Sequence, residues 1–245
     1  MKKILLSVVA ILILVACNQE ENNIQYQSYF TSIATVVNPN KSSEFSFRLD
    51  NNDLMLITES NFPNYKPVDG QRIIANYNIL TVNNNSTLYN HKVYLNDVYE
   101  VLTKGIFMIS SATQDSIGND QVQINSIWLG SHFLNVEFTY QGFNQIHFIN
   151  LVKDSTKTYT DGKVHLEFRH NANNDYPTYL KWDVVSFNLS SLETLATGDS
   201  INLVIQTREF AVLENGSYNL TYKFGSAGSS SIKSLSLPKE KNKLL

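Results

Sequence analysis

The stretch VQINSIWLGSHFLNVEFTY (122–140) decides the fold class. Its second half alternates without a break. Leu134, Val136, Phe138 and Tyr140 fall on one side, and Phe133, Asn135, Glu137 and Thr139 on the other. A period of two is the mark of a β-strand with one face turned to a core. The first half, Val122–Leu129, is again rich in β-branched and apolar residues, and Gly130-Ser131 supplies a turn. Two strands around a short turn predict a hairpin.

The same pattern continues downstream. Ile146–Val152, Lys163–His170, Tyr179–Asn188, Ile201–Arg208 and Tyr218–Phe224 read as further strands. In Lys163–His170, Val164, Leu166 and Phe168 face inward while Lys163, His165, Glu167 and Arg169 face out. About seven strands at this spacing predict an immunoglobulin-like sandwich of two sheets. One helical signal interrupts them. Ser190 with Glu193 three residues later forms a capping box, and Gly198 can end the turn.

Upstream lies a second all-β unit. Ser32–Val37, Glu44–Arg48, Leu54–Thr58, Gln71–Val82 and Lys92–Val101 read as strands, with Asp50–Asp53 as a hairpin turn. In Gln71–Val82, Ile73, Ala75, Tyr77 and Ile79 share a face, but Arg72, Ile74 and Leu80 sit on the other, so the period is imperfect. Such a strand suits a small OB-like barrel in which it bends across two layers. Residues 111–121 hold Ile117 as their sole large apolar residue and read as a linker. The expected organisation is therefore a leader (1–16), a tether (17–28), a barrel (29–110), the linker (111–121), a sandwich (122–226) and a flexible tail (227–245).

The leader is legible on its own. Lys2 and Lys3 precede an apolar run from Ile4 to Ala16, broken by Ser7 alone. That run is shorter than the roughly 20 residues that span a bilayer and matches a signal peptide. Leu14-Val15-Ala16-Cys17 resembles the bacterial lipobox, which implies cleavage between Ala16 and Cys17 and lipidation of the Cys17 sulfur. Several acyl chains would hold the chain on a membrane without a spanning helix. Cys17 is the sole cysteine, so the mature chain has neither an internal disulfide nor a thiolate metal site. The net charge of −3 falls to −5 once Lys2 and Lys3 leave, which argues against nucleic acid as a partner.

Catalytic signals are weak. His165 and Glu167 lie two apart on one strand face, and His132 and His147 come from neighbouring strands. No three-ligand motif accompanies them, so no metal is expected. Ser131-His132 is not a triad, and no G-x-S-x-G occurs. The carboxylate pairs Asp97/Glu100 and Asp120/Glu137 have no pattern that separates an acid from a base. Trp128 and Trp182 sit in strand patterns and read as core. Neither a phosphate-cradling loop nor a nucleotide fingerprint is present, so no cofactor is expected.

The segments GQRIIANYNIL (70–80), VYLNDVYEVLTKG (93–105), DSIGND (115–120), SIWLGSHFLNVEFTY (126–140) and LEFRHNANND (166–175) resemble those of the NigD-like lipoproteins of Bacteroidetes. The resemblance implies an N-terminal OB-like domain and a C-terminal β-sandwich, and it brings no catalytic residue. In that lineage Asp-Ser/Thr sequons receive O-glycans, which makes Ser116, Ser155 and Ser200 candidate acceptors. Gln19-Glu20-Glu21 after Cys17 resembles a surface-export signal, pointing to the outer membrane. The expected function is non-enzymatic: a lipid-anchored envelope protein that binds a protein or a glycan. The alternative is bacteriocin immunity.

Overall fold

The computed structural model describes residues 29–38, 45–62, 64–82, 89–113, 117–210, 216–225 and 244–245. The leader, the tether, Ala16, Cys17 and Ser116 lie outside them.

The first unit is a closed barrel of β1 (Phe30–Val37), β2 (Ser46–Leu49), β3 (Leu54–Ser60), β4 (Arg72–Val82) and β5 (His91–Glu100). Its strand order is β1-β2-β3-β5-β4, closing back on β1. Neighbours are antiparallel except β3 and β5. Phe47, Met55, Ile73, Ala75, Tyr77, Val93 and Leu95 fill the interior. Closure leaves no free sheet edge.

The second unit is a sandwich. β6 (Leu102–Lys104), β8 (Gln123–Gly130), β9 (Phe133–Gly142) and β12 (Tyr179–Asn188) form one sheet, in the order β6-β12-β9-β8. β7 (Ile106–Ile109), β10 (Phe148–Asp154), β11 (Val164–Asn171), β13 (Ser200–Thr207) and β14 (Gly216–Lys223) form the other, in the order β14-β13-β11-β10-β7. Leu134, Val136, Phe138 and Tyr140 meet Leu151, Leu166 and Phe168 between the sheets, as the alternation in 133–140 requires.

Several sequence expectations change. The barrel ends at Val101 rather than at 110, because β6 and β7 pair in parallel with β12 and β10 of the sandwich. Their apolar residues alternate poorly, with Phe107 and Met108 exposed, so periodicity could not assign them. Nor is the described part of 111–121 a free linker. Asp120 N donates to His170 O, and a Cβ on Gly118 (φ +74°) would meet Asn171 at 2.6 Å. The chain end is also not free throughout: Leu245 N donates to His147 O, and Ile149 N donates to Leu245 O. The imperfect period of β4 has a different cause from the one expected. Arg72 and Ile74 lie on the outer barrel face, which the sandwich covers.

The helical signal becomes a 3-10 helix, Ser190–Leu195. Its capping box does not form: Ser190 N donates to Asn188 Oδ1, and Glu193 Oε1 accepts from Tyr222 OH at 2.5 Å.

Candidate functional site

Chemistry-bearing side chains gather in three places. The first is the seam between the units. Arg72, at the start of β4, is wholly buried. It donates to both oxygens of Asp50, at 2.6 and 2.9 Å, and to Thr35 Oγ1 at 3.0 Å within the barrel. Across the seam its Nη2 donates to Asn135 Oδ1 at 3.0 Å, and its guanidinium lies 4.4 Å over the Phe133 ring. Asn135 in turn donates to Asp50 at 3.1 Å and accepts from Ser186 Oγ at 2.7 Å. A planar guanidinium with bidentate carboxylate pairing suits such a site. Gly130 permits the approach, since a Cβ there would lie 1.8 Å from Asp50 Oδ2. Beside this network Ile33, Ile74, Val101 and Val184 form an apolar cluster that Tyr99, Trp128 and Trp182 flank. Both tryptophans therefore pack, as expected, and Trp182 Nε1 donates to Glu137 Oε1 at 2.8 Å.

The second place is one end of the sandwich. His147 Nε2 lies 3.0 Å from Asp175 Oδ2, and His147 Nδ1 lies 2.8 Å from His170 Nε2. Burial works against the Asp175 charge. Hydrogen bonds from His147 and from the backbone amides of Phe143, Asn144 and Gln145 outweigh it and hold this carboxyl below the usual range. Asp175 is thus an acceptor, so His147 Nε2–H donates. Burial and then the adjacent His147, opposed by Asp120, push His170 down to about 4. Tyr140 packs on both imidazoles, at 4.9 and 5.5 Å. Asp175 accepts from the Phe143 and Asn144 amides and so fixes two loops. Those loops and the start of β12 expose Phe143, Ile146, Tyr176, Tyr179 and Leu180.

The third is a cleft of about 490 Å³ on the barrel, at the β3–β4 loop and the end of β5. Asn61, Phe62, Asn64, Tyr65, Tyr99 and Glu100 line it. Tyr94 OH donates to Asn61 Oδ1 at 2.6 Å, and Tyr65 OH donates to Gln71 Oε1 at 3.1 Å. Burial and the Glu100 charge push Tyr65 up to about 12, so it stays a donor.

The histidines weighed in the sequence sit in separate contacts. His165 pairs with Asp161 at 2.9 Å and stacks on Tyr159 at 3.6 Å, whereas Glu167 pairs with Lys157 and Arg169. His132 contacts Ser131 and Phe133, not His147. Among the described residues no cluster of three or more His, Cys, Asp or Glu side chains suits a metal. Asp120 accepts from Ala172 N while Glu137 accepts from Trp182, so that carboxylate pair is divided. Asp97 accepts from the neighbouring Val98 amide. Of the sequon serines, Ser155 is exposed and donates to the Ile109 carbonyl at 2.8 Å. Ser200 opens β13 and donates to Asp199 at 3.2 Å.

Residues 33–101 match the NigD-like N-terminal OB domain and residues 105–222 the NigD-like C-terminal β-sandwich domain. No curated protein matches the chain. Among solved structures, a protein of Parabacteroides distasonis described as toxin-related is 32% identical, with a TM-score of 0.69 over 81% of this chain and 95% of that one. A Bacteroides vulgatus protein of unknown function is 26% identical, with a TM-score of 0.69 over 81% of this chain and 92% of that one. A NigD-like immunity protein of Bacteroides caccae is 19% identical, with a TM-score of 0.62 over 81% of this chain and 99% of that one, and shares the fold. The first match ends with the barrel at residue 101, β6 falls between the two matches, the second match begins just before β7, and the chain belongs to the NigD-like family.

Proposed function

We propose that this protein is a non-enzymatic, lipid-anchored envelope protein whose task is to bind a partner, with the sandwich end as its contact surface. One observation carries this reading. Phe143, Ile146 and Tyr176, on loops that the Asp175 carboxylate ties together, and Tyr179 and Leu180, at the start of β12, are all exposed. Grouped, rigidly held apolar side chains favour contact with another macromolecule. Phe143 and Tyr179 already touch, at 6.0 Å between rings. The lipobox at Cys17 supplies the anchor, and no helix among the described residues is long and apolar enough to cross a membrane. The acidic stretch after Cys17 supports the outer membrane.

A photo-crosslinking residue placed at position 179 in living cells tests the contact surface. A discrete adduct that disappears with Leu180→Asp is the expected result. Absence of any adduct from positions 143, 176 and 179 would sink the reading. Location has its own test. Protease added to intact cells should remove this protein while a periplasmic control survives, and Cys17→Ser should free it from the membrane fraction.

A second reading follows from the Bacteroides caccae neighbour described as an immunity protein. Under it, binding sequesters a bacteriocin or masks its receptor. Deleting the gene would then raise sensitivity to a co-resident bacteriocin, and unchanged sensitivity across such a set would dismiss it.

A further inference from the structure

We propose that the outer edge of β10 at His147–Ile149 is a docking site for an extended, leucine-bearing strand of a binding partner, and that Leu244-Leu245 fills it in the unbound chain. The proposal rests on the reading of the sandwich end as a contact surface, since the exposed Ile146 of that surface adjoins His147. The way the two sheets are joined leaves this edge uncovered. β6 belongs to one sheet and β7 to the other, and the chain passes between them at Gly105. β7 therefore meets β10 only from Ile106, opposite Leu151, and does not extend to His147 and Ile149. On its other side β10 is paired with β11 from Phe148 onward. Edge amides and carbonyls are a template for a further strand.

The structure shows what this template takes. Leu245 N donates to His147 O, and Ile149 N donates to Leu245 O, both at 2.9 Å. His147 and Leu244 form a parallel bridge. Leu244 packs against the sandwich core, whereas Leu245 is 54% exposed. Successive side chains on opposite sides are those of a strand. In strand addition the main-chain bonds give affinity and the inward side chain gives selectivity. The edge thus selects an apolar residue at the Leu244 position, accepts a polar one at the Leu245 position, and takes a strand that runs parallel to β10.

The edge is rigid, and its present occupant is exchangeable. The His147 ring is fixed by Asp175 at 3.0 Å and His170 at 2.8 Å, and Ile149 is wholly buried. A preformed edge spares a partner the cost of ordering it. Two backbone bonds and one partly buried leucine hold Leu244-Leu245, and a second strand replaces such bonds with bonds of the same kind. The advantage of the segment is covalent, because belonging to the same chain raises its effective concentration. A partner strand gains, in addition, the exposed Phe143 and Ile146 beside the edge.

The test uses the purified full chain in detergent micelles and a fluorescent peptide, KEKNKLL, that copies residues 239–245. Leu244→Asp sets a carboxylate against the core and should release the segment, so the Ile149 amide should exchange with deuterium about tenfold faster than in the wild type. The peptide should bind this variant about tenfold more tightly than the wild type and restore slow exchange at Ile149. Aspartate in place of the first leucine of the peptide should abolish binding, and aspartate in place of the second should not. The proposal is overturned if Ile149 exchange is unchanged in Leu244→Asp, if the peptide at millimolar concentration does not bind that variant, or if it binds without protecting Ile149. A failed peptide alongside an adduct at position 179 would sink the strand site and leave the contact surface standing. Missing adducts at positions 143, 176 and 179 are instead the failure of that surface.

Discussion

The Arg72 cluster and the His147 cluster are both withdrawn from solvent, yet they respond to their surroundings in different ways. Arg72 draws its partners from both domains. His147, His170 and Asp175 all belong to the sandwich, where burial lowers the His170 pKa and hydrogen bonds hold that of Asp175 down. The seam is thus a fixed coupling, while the sandwich end holds its loops with titratable groups. A buried pair broken on one side costs more than the intact pair contributes, so each cluster should fail abruptly once a single member is altered.

The largest effect should come from the seam. Arg72→Ala strands Asp50 and should cost about 3–5 kcal/mol. Because it removes the cross-domain bonds, urea unfolding should split from one transition into two. A single transition at the wild-type midpoint would mean that the cluster does not couple the domains.

Acid should act on the other cluster. His170 has a folded pKa of about 4 against the ordinary 6.5. Its contribution is therefore complete above pH 6.5 and is lost as pH falls toward 4, because the unfolded chain binds the proton more readily. The loss is on the order of 3 kcal/mol. Asp175, held below its usual value, adds a further loss as pH falls beneath 3.8. Denaturation measured from pH 7.5 to 4 should show this slope, and His170→Gln should flatten it. An identical slope in that variant would assign the acid sensitivity elsewhere.

Gly130→Ala sharpens the comparison at intermediate cost. The added methyl must displace Asp50, and the expected penalty is about 2 kcal/mol, again at the seam. Full stability in this variant would show that the hairpin can yield. Smallest is Tyr222→Phe, which removes one hydrogen bond to Glu193 that neither cluster uses. It should cost about 1 kcal/mol with no change in the pH slope, as thermal denaturation at two pH values will show.

Alternation made most of the fold legible. The strand from 133 to 140 and that from 163 to 170 needed only a period of two. β6 and β7 did not yield to it. They are short, they pair in parallel with strands distant in sequence, and two of their apolar residues face solvent. The candidate sites were less legible for a related reason. Arg72 read only as a residue opposite the Ile73 face, because the surface that covers it lies 60 residues and more downstream. His147 and His170 meet because Ile149 pairs with His170 across β10 and β11, a register that neither strand reveals alone. The segments that suggested the family include Arg72, Gly130, Asn135, His170 and Asp175. They carry the interior polar contacts, which explains why they identify the family without naming an activity.

The absence of any spacer between Glu100 and Leu102 has a consequence for how the molecule is made. The ribosome delivers the complete barrel sequence first, but the outer patch of Ile33, Ile74 and Val101 waits for Val184 to cover it. Arg72 likewise waits for Asn135 and Ser186. Contacts separated this far in sequence form late, so a newly made barrel carries a bare apolar patch and an incompletely satisfied guanidinium until the sandwich closes over them. Docking is then the slow, aggregation-exposed step of maturation, and the seam is where a chaperone would have the most to protect.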